Sequence, residues 1–149
     1  MLRLSKKIDY GLILLQGLCL EPEAASAREL AQRHRLPHPM VANILKTLAQ
    51  SGILASTRGA QGGYHLAQHP SRITLAQIAH SLEGPMNLVD CVAGHAACEM
   101  TGFCPTQKPM LVVQQRFQDF LNTLTLDVIV SQPSQTPVGQ SHANTYLPG

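Results

Sequence analysis

The sequence predicts a mainly α fold with one small β-hairpin, a winged helix-turn-helix followed by a long C-terminal helix. Three observations predict it. Two short helical segments around 26–34 and 39–50 are separated by a tight break, and a longer amphipathic segment precedes them. Two short β runs then flank a glycine-rich turn. Further on, a wide apolar stripe runs through 110–124.

At 149 residues the chain suits one globular domain, or a small domain with an appendage, and 44% hydrophobic content is ample for a core. The opening apolar run is only about a dozen residues long, is interrupted by Asp9 and lacks a small-residue cleavage site. It is too short to cross a membrane and wrong for a secretion signal. The expectation is a cytoplasmic protein with no membrane partner and reduced thiols. The net charge of +2 conceals an asymmetry, with +5 in residues 1–72 and −3 in residues 73–149. A basic front and a mildly acidic back suit a polyanion-binding module followed by a sensing or dimerising part.

The first helix is read from Ile8 to Leu20, with Ile8, Leu12, Leu15 and Cys19 on one stripe. Cys19 therefore reads as a core residue rather than a ligand. Asp9 sits in the first turn, where the helix dipole favours a carboxylate. Pro22 ends this helix, and Ser26-Ala27-Arg28-Glu29 is a capping box for the next, which ends near His34. After the break at Arg35-Leu36-Pro37, Pro39 suits the first turn of a third helix with His38 at its cap. Val41, Ile44, Leu45 and Leu48 face inward, and Gly52 is placed to end the helix in the left-handed region.

The outward positions of this third helix are His38, Met40, Asn43, Lys46 and Thr47. Asn43 is the candidate for a base contact, because its amide can pair bidentately with adenine. Lys46 suits a phosphate. Residues 53–57 and 64–67 read as the strands of the wing, with Arg58-Gly59-Ala60-Gln61-Gly62-Gly63 as its turn. Arg58 at the tip can enter a minor groove or meet a phosphate, and Gly59 leaves backbone N–H groups accessible. The expected partner is double-stranded DNA.

Thr74-Leu75-Ala76-Gln77 is a second capping box, opening a helix to about Leu82. A last long helix runs to about Leu124, with Met110, Val113, Phe117, Phe120, Leu121 and Leu124 on its apolar stripe. That face is large enough to suggest a homodimer, since two-fold dimers usually read DNA half-sites. Packing on the chain's own first helix is the plainer reading, and both can hold. Thr125 could cap a short final helix to Val130, and the tail from Gln132 reads as disordered. The division expected is 1–84 for DNA binding, 85–105 for a cysteine loop, 106–131 for the dimerisation helix and short last helix, and 132–149 for the tail.

Three of the four cysteines, Cys91, Cys98 and Cys104, lie in that loop with six and five residues between them. Neither spacing stacks thiols on one helix face, but a loop containing Gly94 and Gly102 can aim three sulfurs at one point. Cys91, His95, Cys98 and Cys104 also form a set that tetrahedral zinc accepts. From the residues alone, zinc and an iron–sulfur cluster stand level. No phosphate-binding glycine loop, His-Glu-x-x-His or Cys-x-x-Cys is present, so neither an enzyme nor a small-molecule substrate is expected. A cofactor-free adaptor that uses the winged helix for protein contacts is the remaining alternative.

The wing motif Arg58-Gly59-x-x-Gly62-Gly63-Tyr64, the opening Leu2-Arg3-Leu4, Ile73-Thr74-Leu75-Ala76-Gln77-Ile78 and the cysteine loop together resemble the bacterial winged-helix regulators typified by IscR and NsrR, the Rrf2 family. The likeness runs from Met1 to about Val130. It is strongest to the subgroup that regulates the sulfur-mobilisation (SUF) cluster-assembly operon. The resemblance implies an iron–sulfur cofactor on Cys91, Cys98 and Cys104, with 2Fe–2S favoured over 4Fe–4S, whose state sets DNA binding. It also moves the balance from zinc to iron–sulfur. The cysteine spacing departs from the five and five frequent in the family. Gln107 stands where IscR has a ligand His, and Ala42 where IscR has a Glu. Asp9 matches the carboxylate that NsrR-like members supply from the partner subunit, which makes it the candidate fourth ligand.

Overall fold

The computed structural model describes residues 4–21, 23–89, 100 and 103–131. Cys91, His95, Cys98, Glu99, Pro22 and the tail from Gln132 lie outside the described residues, as do the expectations attached to them. The elements follow in the order α1 (Lys6–Leu20), α2 (Ala27–His34), α3 (His38–Gln50), β1 (Leu54–Thr57), β2 (Gly63–Leu66), a short 3-10 turn (Pro70–Arg72), α4 (Leu75–Glu83), α5 (Gln107–Thr123) and α6 (Leu126–Val130). This is the mainly helical fold with a small two-stranded antiparallel sheet that the sequence predicts.

Local chemistry explains most of the boundaries. Both capping boxes form. Ser26 Oγ accepts from the Glu29 N–H at 3.2 Å while Glu29 Oε2 accepts from the Ser26 N–H at 2.7 Å, and Thr74 and Gln77 repeat the exchange at the head of α4. That exchange holds the Glu29 carboxyl below its ordinary pKa, chiefly through the Ser26 backbone N–H. Ser5 caps α1 by accepting from the Ile8 N–H. Pro37 rather than His38 precedes α3, because its fixed φ of −61° with extended ψ makes it the boundary and leaves His38 in the first turn. Gly52 takes a φ of +78° past the end of α3, as its position predicts.

The core gathers Ile8, Leu14, Leu15 and Leu18 of α1 with Leu30, Val41, Ile44, Leu45 and Leu48 of the helix-turn-helix. Ile73, Ile78 and Leu82 close it from α4, and Leu121 and Leu126 from the C-terminal helices. The stripe of α1 is broader than Ile8, Leu12, Leu15 and Cys19 suggest, since Gly11 and Gly17 are also buried and Leu12 and Cys19 lie at the margin. Gly17 permits a close approach: a Cβ there would lie 2.6 Å from His34 Nε2. Burial raises the Cys19 thiol pKa, with Asp127 adding to it, in keeping with a packing role.

The wing pairs Leu54 with Leu66 through to Thr57 with Gly63. On its other side Tyr64 and Ala25 exchange backbone hydrogen bonds of 2.8 and 3.0 Å. Gly63 is required there, since any Cβ would meet the Ala25 backbone at 2.4 Å. The strands therefore start one residue later and earlier, respectively, than the apolar pattern indicates. At the far end, Leu75 N–H donates to Leu124 O and Leu126 N–H to Ile73 O, both at 2.8 Å, stitching the start of α4 to the α5–α6 corner. Thr125 stands at the N-cap of α6 as expected, but its hydroxyl donates to the Asp127 carboxylate and accepts from no backbone N–H of the helix.

The apolar stripe of α5 divides into two faces. Phe117, Leu121 and Leu124 turn towards the core, and α5 rests on α4. Leu111, Val112, Val113 and Phe120 face outward, with Val112 61% and Phe120 57% exposed. Phe117 therefore belongs to the chain's own packing, and a second surface is left to the outward residues.

Candidate nucleic-acid interface and cysteine segment

The helix-turn-helix is held in shape by Arg35. It takes a φ of +53°, the left-handed region, and Leu36 N–H donates to Ala31 O at 2.9 Å while Arg35 N–H donates to Gln32 O at 3.3 Å. These two bonds are the Schellman closure of α2, made here by Arg instead of the usual Gly. The turn projects α3 with no acidic residue in its first turn. His38, Met40, Asn43 and Lys46 are all exposed on it. Thr47 is half-buried and its hydroxyl donates back to Asn43 O at 2.9 Å, so it serves the helix before any ligand. The exposed row offers a bidentate amide at Asn43, a cation at Lys46 and an apolar contact for a thymine methyl at Met40.

Arg58 is exposed where β1 leaves the sheet. Gly59 beside it has a φ of +120°, which a side chain would strain, and Gly62 N–H closes the turn on Gly59 O at 3.0 Å. Two of the nearby acidic groups are already engaged, while Glu23 lines the cleft beside the wing turn with Ala60, Gln61 and Gly62. Glu29 is in its capping box, and Glu21 pairs with Arg33 at 2.8 Å. The front half still carries a net positive charge, which suits a polyanion.

Two basic residues escaped the sequence reading. Arg28, Ala31, Gln32, Leu36 and His38 line a shallow cleft of about 390 Å³ between α2 and the head of α3. A signal for Arg28 was present, since a cation in the first turn of a helix opposes the dipole and calls for another partner. Arg35 carried no such signal, because a left-handed Arg cannot be told from any other loop residue by pattern.

At the other end, Cys104 is half-buried three residues ahead of α5, next to Phe103, which is 87% exposed. Its Sγ lies 3.1 Å from Thr106 Oγ1. Hydrogen bonds from the Thr106 hydroxyl, then the Thr106 and Gln107 backbone, hold the thiol below its ordinary pKa. A thiolate is the form that binds metal, so Cys104 fits a soft-metal or iron–sulfur site in its chemistry. Asp9 is exposed in the first turn of α1. Among the described residues no three His, Cys, Asp or Glu gather as a metal site, and Cys91 and Cys98 are not among them.

An exposed reading helix, a glycine-turned wing and a cationic surface define a winged helix-turn-helix DNA-binding regulator. The chain belongs to the Rrf2 family, described as iron-dependent transcriptional regulators, its match spanning residues 4–132. The family and the relatives that the chain matches are described as regulators of transcription. A helix-turn-helix-type protein of Synechocystis is 39% identical over 84 residues, 55% of this chain and 57% of that one. The transcriptional repressor NsrR of Streptomyces coelicolor is 28% identical over 136 residues, 89% of this chain and 91% of the repressor. Among solved structures, T. potens IscR superposes with a TM-score of 0.67 at 25% identity, covering 94% of each chain. Among the described residues no helix is long and apolar enough to cross a membrane.

Proposed function

We propose that the chain is a cytoplasmic homodimeric repressor that reads DNA with α3 and the wing and senses iron–sulfur cluster status or redox state through Cys91, Cys98 and Cys104. The observation that carries this reading is the outward row of α3, His38, Met40, Asn43 and Lys46, beside Arg58 and Gly59 on the wing. Asn43 would read a base edge while Lys46 and Arg58 fix the register on phosphates. Three outward positions of α5 support the homodimer, since exposed Phe120, Val112 and Val113 on one helix need a cover.

The cofactor reading rests on Cys104, the family's iron dependence and the likeness to NsrR and IscR. When bound, a cluster supplies a redox-responsive group held by thiolates. Asp9 of the partner subunit is proposed as the fourth ligand, because Gln107 offers only a neutral amide. Genes for iron–sulfur assembly are the proposed targets. Anaerobic purification followed by an absorption spectrum and iron, sulfide and zinc analysis tests this. A visible band with iron and sulfide is expected, whereas zinc alone would replace the cluster with a zinc-stabilised repressor. Binding that unrelated DNA competes away fully would favour the adaptor reading.

A further inference from the structure

Gln114 stands out on α5 as a buried polar side chain, 7% exposed. Its Nε2 donates to Met86 O at 2.8 Å, and its Oε1 accepts from the Leu88 N–H at 2.8 Å. Only this orientation of the amide pairs each donor with an acceptor. One turn further along, Gln118 Nε2 donates to the same Met86 O at 3.0 Å. Two side chains of one helix thus hold the backbone of a segment that has no regular structure of its own.

That segment is the approach to the cysteines. Cys91 follows Leu88 by three residues, and Cys104 precedes Gln107, the first residue of α5, by three. Gln107 and Gln114 are seven residues apart, two turns and about 10 Å along one face of the helix. The chain on both sides of the cysteines is therefore keyed to a single face of α5. The approach is also held from behind. Lys7 Nζ donates to Leu82 O at 2.7 Å, and Ser5 Oγ donates to Glu83 Oε1 at 2.7 Å. Residues 82–88 thus bridge the head of α1, where Asp9 lies, and the helix whose opposite side carries Val112, Val113 and Phe120.

Core packing alone gives no reason for an amide here. A Leu or Met would fill the same volume and leave the Leu88 N–H to solvent, with Gln118 alone still donating to Met86 O. The amide instead fixes Met86 and Leu88 to one register on α5. We propose that Gln114, assisted by Gln118, is the positioning residue through which the state of the thiols reaches α5. The hydrogen bonds at Met86 and Leu88 tie the backbone just ahead of Cys91 to the helix, and so to the assembly that reads DNA. This rests on the functional reading above and names how its sensing part would be coupled.

The test uses the full chain on a Cys19→Ala background, so that only the three loop thiols react. DNA affinity is measured by anisotropy before and after alkylation with iodoacetamide, and the ratio of the two is the readout. In the parent chain a coupling of ordinary size, about 5- to 150-fold, is expected. Gln114→Met keeps the volume and loses both bonds, so it should keep the unmodified affinity while its ratio falls to about one. Gln118→Met loses one bond and should give an intermediate ratio. Faster amide exchange at Leu88 should accompany the first substitution and not the second. A merely structural role would lower stability without moving the ratio. Full ratios in both variants beside a responding parent overturn the inference alone. A parent that binds DNA but ignores alkylation overturns the sensing role of the thiols and this inference together. If Gln114→Met does not fold, Gln118→Met decides: a reduced ratio supports the tether and a full one overturns it.

Discussion

The helix-turn-helix with its wing and the C-terminal helix α5 are built on opposite plans. Residues 26–66 bury most of their apolar side chains and turn their polar ones outward: Leu30, Val41, Ile44, Leu45 and Leu48 are inside, while Asn43, Lys46 and Arg58 are outside and Met40 is the exposed exception. In α5 the buried residues are Gln114 and Leu121, while Leu111, Val112, Val113 and Phe120 are exposed. The first region is finished as a monomer and presents chemistry for a ligand. The second presents an apolar strip outward and spends its one buried amide on the approach to the cysteines. The difference teaches that polarity inside and apolarity outside, on the same helix, mark a part that works through contacts.

The sharpest way to break the comparison is to truncate one residue in each region. Leu45→Ala, at a site with no exposure, should lower stability by about 2–5 kcal/mol, read from the denaturant midpoint. The corresponding change on α5, Phe120→Asp, should leave the fold's thermal midpoint nearly unchanged while sedimentation shows a shift from dimer to monomer. A dimer that survives Phe120→Asp would place the seam elsewhere. Phe117→Asp is expected to unfold the chain instead, because its ring packs on the core.

Smaller effects separate the DNA-facing groups. Arg58→Ala and Lys46→Ala should each flatten the slope of log affinity against log salt by about one unit, with little change in stability. Arg28→Ala should act in the same direction if the cleft at the α2–α3 junction receives a phosphate. Wild-type slopes in all three would remove the proposed docking.

The smallest expected effect is a pH dependence at the α1–α2 contact. Burial, with Arg33 adding to it, lowers the pKa of His34, against the weaker opposing effect of Glu21. Among the described residues its Nε2, buried against Gly17, has no hydrogen-bond partner. The unfolded chain therefore takes up a proton at a higher pH than the folded one. Stability should be level above the ordinary His range near 6.5 and should fall as the pH drops through it. His34→Leu should remove that slope in a urea-midpoint series.

What could be read from the sequence follows the range of the forces involved. The capping boxes at Ser26 and Thr74 are interactions within four residues, so α2 and α4 were legible almost to the residue. The exposed row of α3 was legible because four inward apolar positions fix the helix phase. In α5 the same reasoning failed. Both of its faces carry a Phe, Phe117 inward and Phe120 outward, so periodicity could not decide which would turn inward. The burial of Gln114 depends on Met86 and Leu88, 28 and 26 residues away, and no local pattern encodes that. Cys104 was found as a thiol in a loop, but its lowered pKa comes from Thr106 and needed geometry.

The central claim is that the cysteine segment sets the affinity of the helix-turn-helix for DNA. It is tested most directly by binding the anaerobically purified full chain to a duplex that it has itself selected from random-sequence DNA, before and after removal of bound iron with a chelator. Affinities that differ about 5- to 150-fold between the two preparations are expected. Equal affinities from a preparation shown to hold stoichiometric iron beforehand would contradict it.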